Sequence, residues 1–138
     1  MKPSRILVID DSVSATRIVK FSLEKTGHYE VRELNDPTGA LAVAREFKPD
    51  LILLDVYMPG VEGGEVAFQI QSDKEFERTP IVFLTSLISE KEAEGNGVLV
   101  GGFHVVAKPP RVERLIACIE STLATARSGE ELCTEREC

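Results

Sequence analysis

Four short stretches of consecutive apolar residues, Ile6 to Ile9, Leu51 to Leu54, Ile81 to Leu84 and Val105 to Ala107, limit what this chain can fold into. A strand with one wet face alternates apolar and polar residues. A continuous run needs cover on both faces, which is the situation of parallel strands flanked by helices. A fifth segment, Glu30 to Leu34 (EVREL), does alternate and reads as an edge strand.

The stretches between these runs carry helical periodicity. Ala15, Ile18, Val19 and Leu23 recur at three and four residues, and Gly27 follows where a helix C-terminus favours glycine. Asp36 before Pro37 is an N-cap with proline at the first helical position. Ala40, Leu41, Ala44 and Phe47 form its apolar stripe, and Pro49 ends it. Val66 and Ile70 mark a third helix, and Val112, Leu115, Ile116, Ile119 and Leu123 mark a last one. Between Ser89 and Gly102 a fourth helix is cut by Gly95, Asn96, Gly97 and the Gly101-Gly102 pair, which leaves it short or mobile.

Strands that alternate with helices in this way imply a doubly wound α/β fold with a five-stranded parallel sheet and right-handed crossovers. A length of 138 residues, with 43% hydrophobic and 28% charged, fits one such domain. We expect it to occupy residues 1–126, with 127–138 a polar tail that lacks an apolar face long enough to dock and is therefore disordered.

Net charge −7 lacks the cationic footprint of a general nucleic-acid or anionic-membrane binder. The apolar run after Lys2 and Arg5 is too short for a signal peptide or a membrane span, so a cytoplasmic protein is expected. Cys118, Cys133 and Cys138 have no metal-ligand spacing and read as free thiols in a reducing compartment.

Ligands of doubly wound sheets bind outside the carboxyl ends of the strands. There this chain places Asp10 and Asp11, Asp55, Thr85 and Lys108, after the first, third, fourth and fifth strands. Any one of them has an ordinary explanation: Asp10, Asp11 or Ser12 as a helix cap, Asp55 as a turn former before Met58-Pro59-Gly60, Thr85 and Lys108 as surface residues. Their coincidence on one rim does not. Adjacent strands are about 4.8 Å apart, and two carboxylates about 4 Å apart repel by roughly 4 kcal/mol at an effective dielectric near 20. Lys108 alone cannot balance three such groups, so a divalent cation is expected. Oxygen ligands without clustered His or Cys suit a hard ion such as Mg²⁺.

At these residues the sequence resembles the receiver domain of bacterial two-component response regulators, over residues 4 to about 126. The pattern is an acidic pair followed by Ser, an Asp trailed by Met-Pro-Gly and then Glu62-Gly63, a Thr, and a Lys-Pro. The resemblance implies a flavodoxin-like (βα)5 fold with strand order 2-1-3-4-5. It implies Asp55 as phosphoacceptor, Mg²⁺ held by Asp10, Asp11, Asp55 and the backbone carbonyl of Tyr57, and Thr85 and Lys108 on the phosphoryl oxygens. Partners would be a sensor histidine kinase or a histidine phosphotransfer protein, and a downstream protein target met through the fourth helix, fifth strand and fifth helix. The chain would act as a monomer or weak dimer, without binding nucleic acid or membrane. It would be no enzyme beyond catalysing its own phosphorylation and dephosphorylation, and, with only the tail after its last helix, a single-domain regulator.

Two positions depart from the family pattern. Val105 stands three before Lys108, where the family usually has a Tyr or Phe ring that turns inward, and His104 beside it reads as a solvent-facing strand residue. Tyr57 and Leu87, two after Asp55 and two after Thr85, are bulky and carry no carboxylate or carboxamide to orient water, so slow self-dephosphorylation is expected. The alternatives are a haloacid-dehalogenase-type phosphatase, which needs an Asp where Tyr57 stands, and a flavodoxin-like cofactor binder, whose phosphate-cradling loop is missing from DDSVSATR. A further alternative is a receiver-like interaction module or phosphorelay intermediate that is not a phosphorylation-switched output.

Overall fold

A computed structural model gives the structure of the chain and describes residues 3–58, 61–85, 99–100, 103–107 and 111–127. Its strands are β1 (Ser4–Ile9), β2 (Tyr29–Leu34), β3 (Leu51–Asp55), β4 (Tyr57–Met58), β5 (Val61–Glu62), β6 (Ile81–Thr85), β7 (Leu99–Val100) and β8 (Phe103–Ala107). Its α-helices are α1 (Val13–Glu24), α2 (Ala40–Phe47), α3 (Gly63–Gln71) and α4 (Val112–Arg127).

The main sheet has the order β2-β1-β3-β6-β8-β7. Its first five strands run parallel, which is the expected 2-1-3-4-5 order of the flavodoxin-like fold. The continuous apolar runs are explained by how their residues divide. Leu7, Ile9, Ile52, Leu54, Ile81, Phe83 and Val105 join Ala44, Phe47, Val66 and Ile70 from α2 and α3. Their sequence neighbours Ile6, Val8, Leu51, Leu53, Val82, Leu84 and Val106 join Val19, Leu23, Leu115, Ile119 and Leu123 from α1 and α4. Successive side chains thus enter opposite cores, and no position is left for a polar residue.

Local chemistry sets the helix ends. The Ser12 hydroxyl caps α1 by accepting from Ala15 N at 3.2 Å. Past its C-terminus, Gly27 adopts φ 82° and donates to Glu24 O at 3.0 Å, a conformation that costs glycine little. Asp36 accepts from Thr38 N as expected, but the first turn it caps is a 3₁₀ turn, Pro37–Gly39, that leads into α2. At the far end of α2, Lys48 takes a left-handed conformation before Pro49, which disfavours a right-handed residue ahead of it.

Three details differ from the sequence reading. Ile18, placed with the buried stripe of α1, is 63% exposed, and polar Thr16 is fully buried in the row with Val19 and Leu23. The Thr16 hydroxyl is satisfied by neighbours in the fold, so burial there does not require an apolar residue. Leu99–Val100, inside the stretch considered for a fourth helix, forms a strand antiparallel to β8, with Leu99 opposite His104 and Val100 opposite Phe103. Val100 and Phe103 have the branched and aromatic side chains that favour strands. Finally, α4 runs through Arg127, one residue past the expected end of the domain. The rest of the fourth-helix stretch, 89–98 and 101–102, and the tail residues 128–138 lie outside the described residues.

Candidate functional site

Strand register assembles the site. Ile9 is paired with Leu54, Asp55 with Leu84, and Thr85 with Ala107. The residues that follow or close these strands therefore share one rim. Asp10 and Asp11 leave β1 beside Asp55 at the end of β3, and each of the three offers a carboxylate oxygen within 4.8 Å of the others'. Asp10 and Asp55 are buried, at 1% and 6% exposure, while Asp11 faces solvent.

Asp10 is held on every side. Its N–H donates to Leu34 O at 3.1 Å, and its Oδ1 accepts from Ser12 N at 3.0 Å. Its carbonyl oxygen accepts from Asn35 Nδ2 at 2.8 Å. Because Ser12 caps α1 with its hydroxyl, the carboxylates of Asp10 and Asp11 are not consumed as caps, which disposes of their ordinary explanation. Asp55 is no turn former either. It closes β3 within the sheet, and Val56 N donates across to Leu84 O at 3.1 Å.

The donor set fits the expected ion. Three carboxylates at one point, two of them nearly out of water, present a strong negative field with oxygen ligands only, which is the preference of Mg²⁺. Among the described residues this is the one group of acids arranged to hold a metal.

Of the other expected site residues, Thr85 closes β6 and Tyr57 opens β4, directly after the rim. Leu87 and Lys108 lie outside the described residues. Val105 is buried in the core face shared with α2 and α3, opposite Phe83. The β4–β5 ladder pairs Tyr57 with Glu62 and Met58 with Val61, so the chain doubles back after Asp55.

Sequence reasoning missed Asn35 and Thr16. Asn35 follows β2, the edge strand from which no site residue was expected, yet Leu34 is in register with Ile9 and so Asn35 reaches the same rim as Asp10. That register was the available signal. Elsewhere, burial pushes the free Cys118 thiol up. Asp36 is held below the usual carboxylate range by the Thr38 hydroxyl and N–H.

The family model of the response regulator receiver domain matches residues 6–120. The chain is a response regulator receiver domain. This receiver domain is 33% identical over 121 residues to Protein PilH of Pseudomonas aeruginosa, covering 88% of this chain and 98% of PilH. It is 30% identical over 125 residues to the polar-differentiation response regulator DivK of Brucella anthropi, covering 90% of this chain and 99% of DivK. The chemotaxis protein CheY4 of Vibrio cholerae has a similar structure, with TM-score 0.74, 33% identity, and 87% and 98% of the two chains covered. Membership of this family places the receiver domain in two-component signalling. No helix among the described residues is long and apolar enough to cross a membrane.

Proposed function

We propose that this receiver domain takes a phosphoryl group onto Asp55 from a phosphohistidine, and that the modified domain signals through protein contacts. The observation that carries the reading is the convergence of the Asp10, Asp11 and Asp55 carboxylates within 4.8 Å at the sheet rim of a receiver domain. An oxygen of Asp55 would form the bond to phosphorus as the bond from phosphorus to the donor's ring nitrogen breaks. Such a transfer needs in-line positioning and charge neutralisation more than covalent help.

Asp10, Asp11, Asp55 and the Tyr57 carbonyl would hold Mg²⁺, which when bound supplies that neutralisation. The burial of Asp10 and Asp55 strengthens both the mutual repulsion of the empty acids and the preference for a cation among them. Thr85 would donate its hydroxyl to one phosphoryl oxygen and Lys108 would pair with another as a flexible point charge. The new group adds about two negative charges, enough to bias a two-state surface. The donor would be a histidine kinase or a histidine phosphotransfer protein. With Tyr57 and Leu87 offering no water-orienting group, loss of the phosphoryl group would be slow. The chain would then act catalytically only on itself.

Incubation with acetyl phosphate and Mg²⁺, followed by intact-protein mass spectrometry, tests this. One phosphoryl group should appear on the wild type and none on Asp55→Asn or on wild type kept in EDTA. Failure of the wild type to gain the group would refute the reading, and its decay within seconds would refute the slow-turnover part.

A further inference from the structure

We propose that Asn35, braced by Thr16, is a positioning residue that sets the geometry of the cation site by fixing the peptide between Asp10 and Asp11. The proposal rests on the reading of that site as one for Mg²⁺.

The geometric need is simple. Consecutive residues of an extended chain point to opposite faces. For the carboxylates of Asp10 and Asp11 to converge within 4.8 Å, the peptide that joins them must be turned and kept turned. The carbonyl oxygen of that peptide belongs to Asp10, and Asn35 Nδ2 donates to it at 2.8 Å. A carbonyl can only accept, so the amide nitrogen and not its oxygen must face it.

The second amide hydrogen is also used. Asn35 Nδ2 lies 3.1 Å from Thr16 Oγ1, which is fully buried on α1. The Thr16 hydroxyl in turn has Val13 O and Glu33 Oε2 within 3.1 Å as acceptors, and Glu33 Oε2 is paired with Arg17 Nε at 3.3 Å. The amide is therefore fixed in rotation by β2 and α1 together, and the fixed amide holds the Asp10 carbonyl. Without it, that carbonyl would lose this side-chain donor, and the peptide that sets Asp11 beside Asp10 and Asp55 would be held less firmly.

Groups that orient metal ligands without touching the metal typically account for about 10–100-fold in metal affinity. Titration calorimetry with MgCl₂ on the metal-free chain reads this without any phosphorylation. Asn35→Ala should weaken Mg²⁺ binding by about tenfold or more. Asn35→Asp, which cannot donate, should do no better. Thr16→Ser should bind as the wild type and the isosteric Thr16→Val should bind more weakly, a contrast that a mere packing role would not produce. Val19→Ala, a core change on the same helix away from the rim, serves as the control for lost stability and should keep wild-type affinity.

If Asn35→Ala does not fold, the Thr16 pair decides alone. Wild-type affinity in Asn35→Ala, or equal affinity in Thr16→Ser and Thr16→Val, overturns the proposal and leaves the proposed function standing. A wild type that does not bind Mg²⁺ overturns both.

Discussion

Ser12 and Asp10 divide the start of the first helix between them: the Ser12 hydroxyl accepts from Ala15 N, while the Ser12 N–H donates to Asp10 Oδ1 at 3.0 Å. The cap and the pocket are thus separate jobs of one residue, one done by the side chain and the other by the backbone. Ser12→Ala removes only the cap. It should lower stability by about 1 kcal/mol in urea unfolding, and Ser12→Asp should recover most of that loss. A variant as stable as the wild type would show that solvent satisfies the Ala15 N–H equally well.

The acidic cluster should make the metal-free fold less stable than it could be. Asp10 and Asp55 are buried within 4.8 Å of one another, a spacing at which two unit charges repel by roughly 3 kcal/mol at an effective dielectric near 20. Solvent at the rim screens part of this, so Asp55→Asn should gain on the order of 1 kcal/mol in EDTA. Wild type should recover stability as Mg²⁺ is added, by about 2.7 kcal/mol at a hundredfold excess over Kd, and the variant should recover less. Calorimetric Tm values for both chains in EDTA and in MgCl₂ check this. A lower Tm for the variant in EDTA would contradict this prediction.

The parts of this architecture that could be read in the sequence share one property: their signal was local. Leu51 to Leu54 announces a strand covered on both faces, and a parallel sheet necessarily delivers the residues after such strands to one rim. The meeting of Asp10, Asp11 and Asp55 follows from that. Thr16 and Asn35 escaped because their role lies in a bond between α1 and the end of β2, and apolar periodicity has no entry for a polar residue satisfied by a distant partner. Ile18 was misplaced for the complementary reason: once Thr16 takes the inward position, the helix turns Ile18 and Phe21 outward. The β7 strand was hidden by the glycines around it, which weaken a helix pattern without indicating what replaces it.

Asp73 ties α2 to the turn after α3, and it gives the chain a pH dependence in acid. The guanidinium of half-exposed Arg45 approaches it at 2.5 Å, and the Glu75 N–H donates at 2.9 Å; together they hold its carboxyl below the ordinary value of 3.8. A folded-state pKa below the unfolded one means this contribution is fully present above about pH 4 to 5 and is lost as pH falls through the lower folded value. Asp36 behaves the same way through Thr38. Urea midpoints should therefore drop below about pH 4, and the stability difference between wild type and Asp73→Asn should shrink over that same range. The Arg45 part should also fade with added salt. A difference between the two chains that grows as pH falls would contradict the assignment.

Val105 stands three residues before Lys108 in the chain and is a core residue of β8. It is 4% exposed, lies opposite Phe83, and packs in the core face with Ile52 and Leu54. A side chain in that position supports the sheet and has no ring to turn between two orientations. Val105→Tyr forces extra volume and a hydroxyl into this packed core and should cost about 1–3 kcal/mol. Acceptance of a phosphoryl group at Asp55 should proceed to the same extent, because Val105 packs with the core and not among the carboxylates. Urea unfolding and acetyl phosphate labelling of the variant measure the two effects separately. A Val105→Tyr chain as stable as the wild type would show that the ring lies outside the core in this fold.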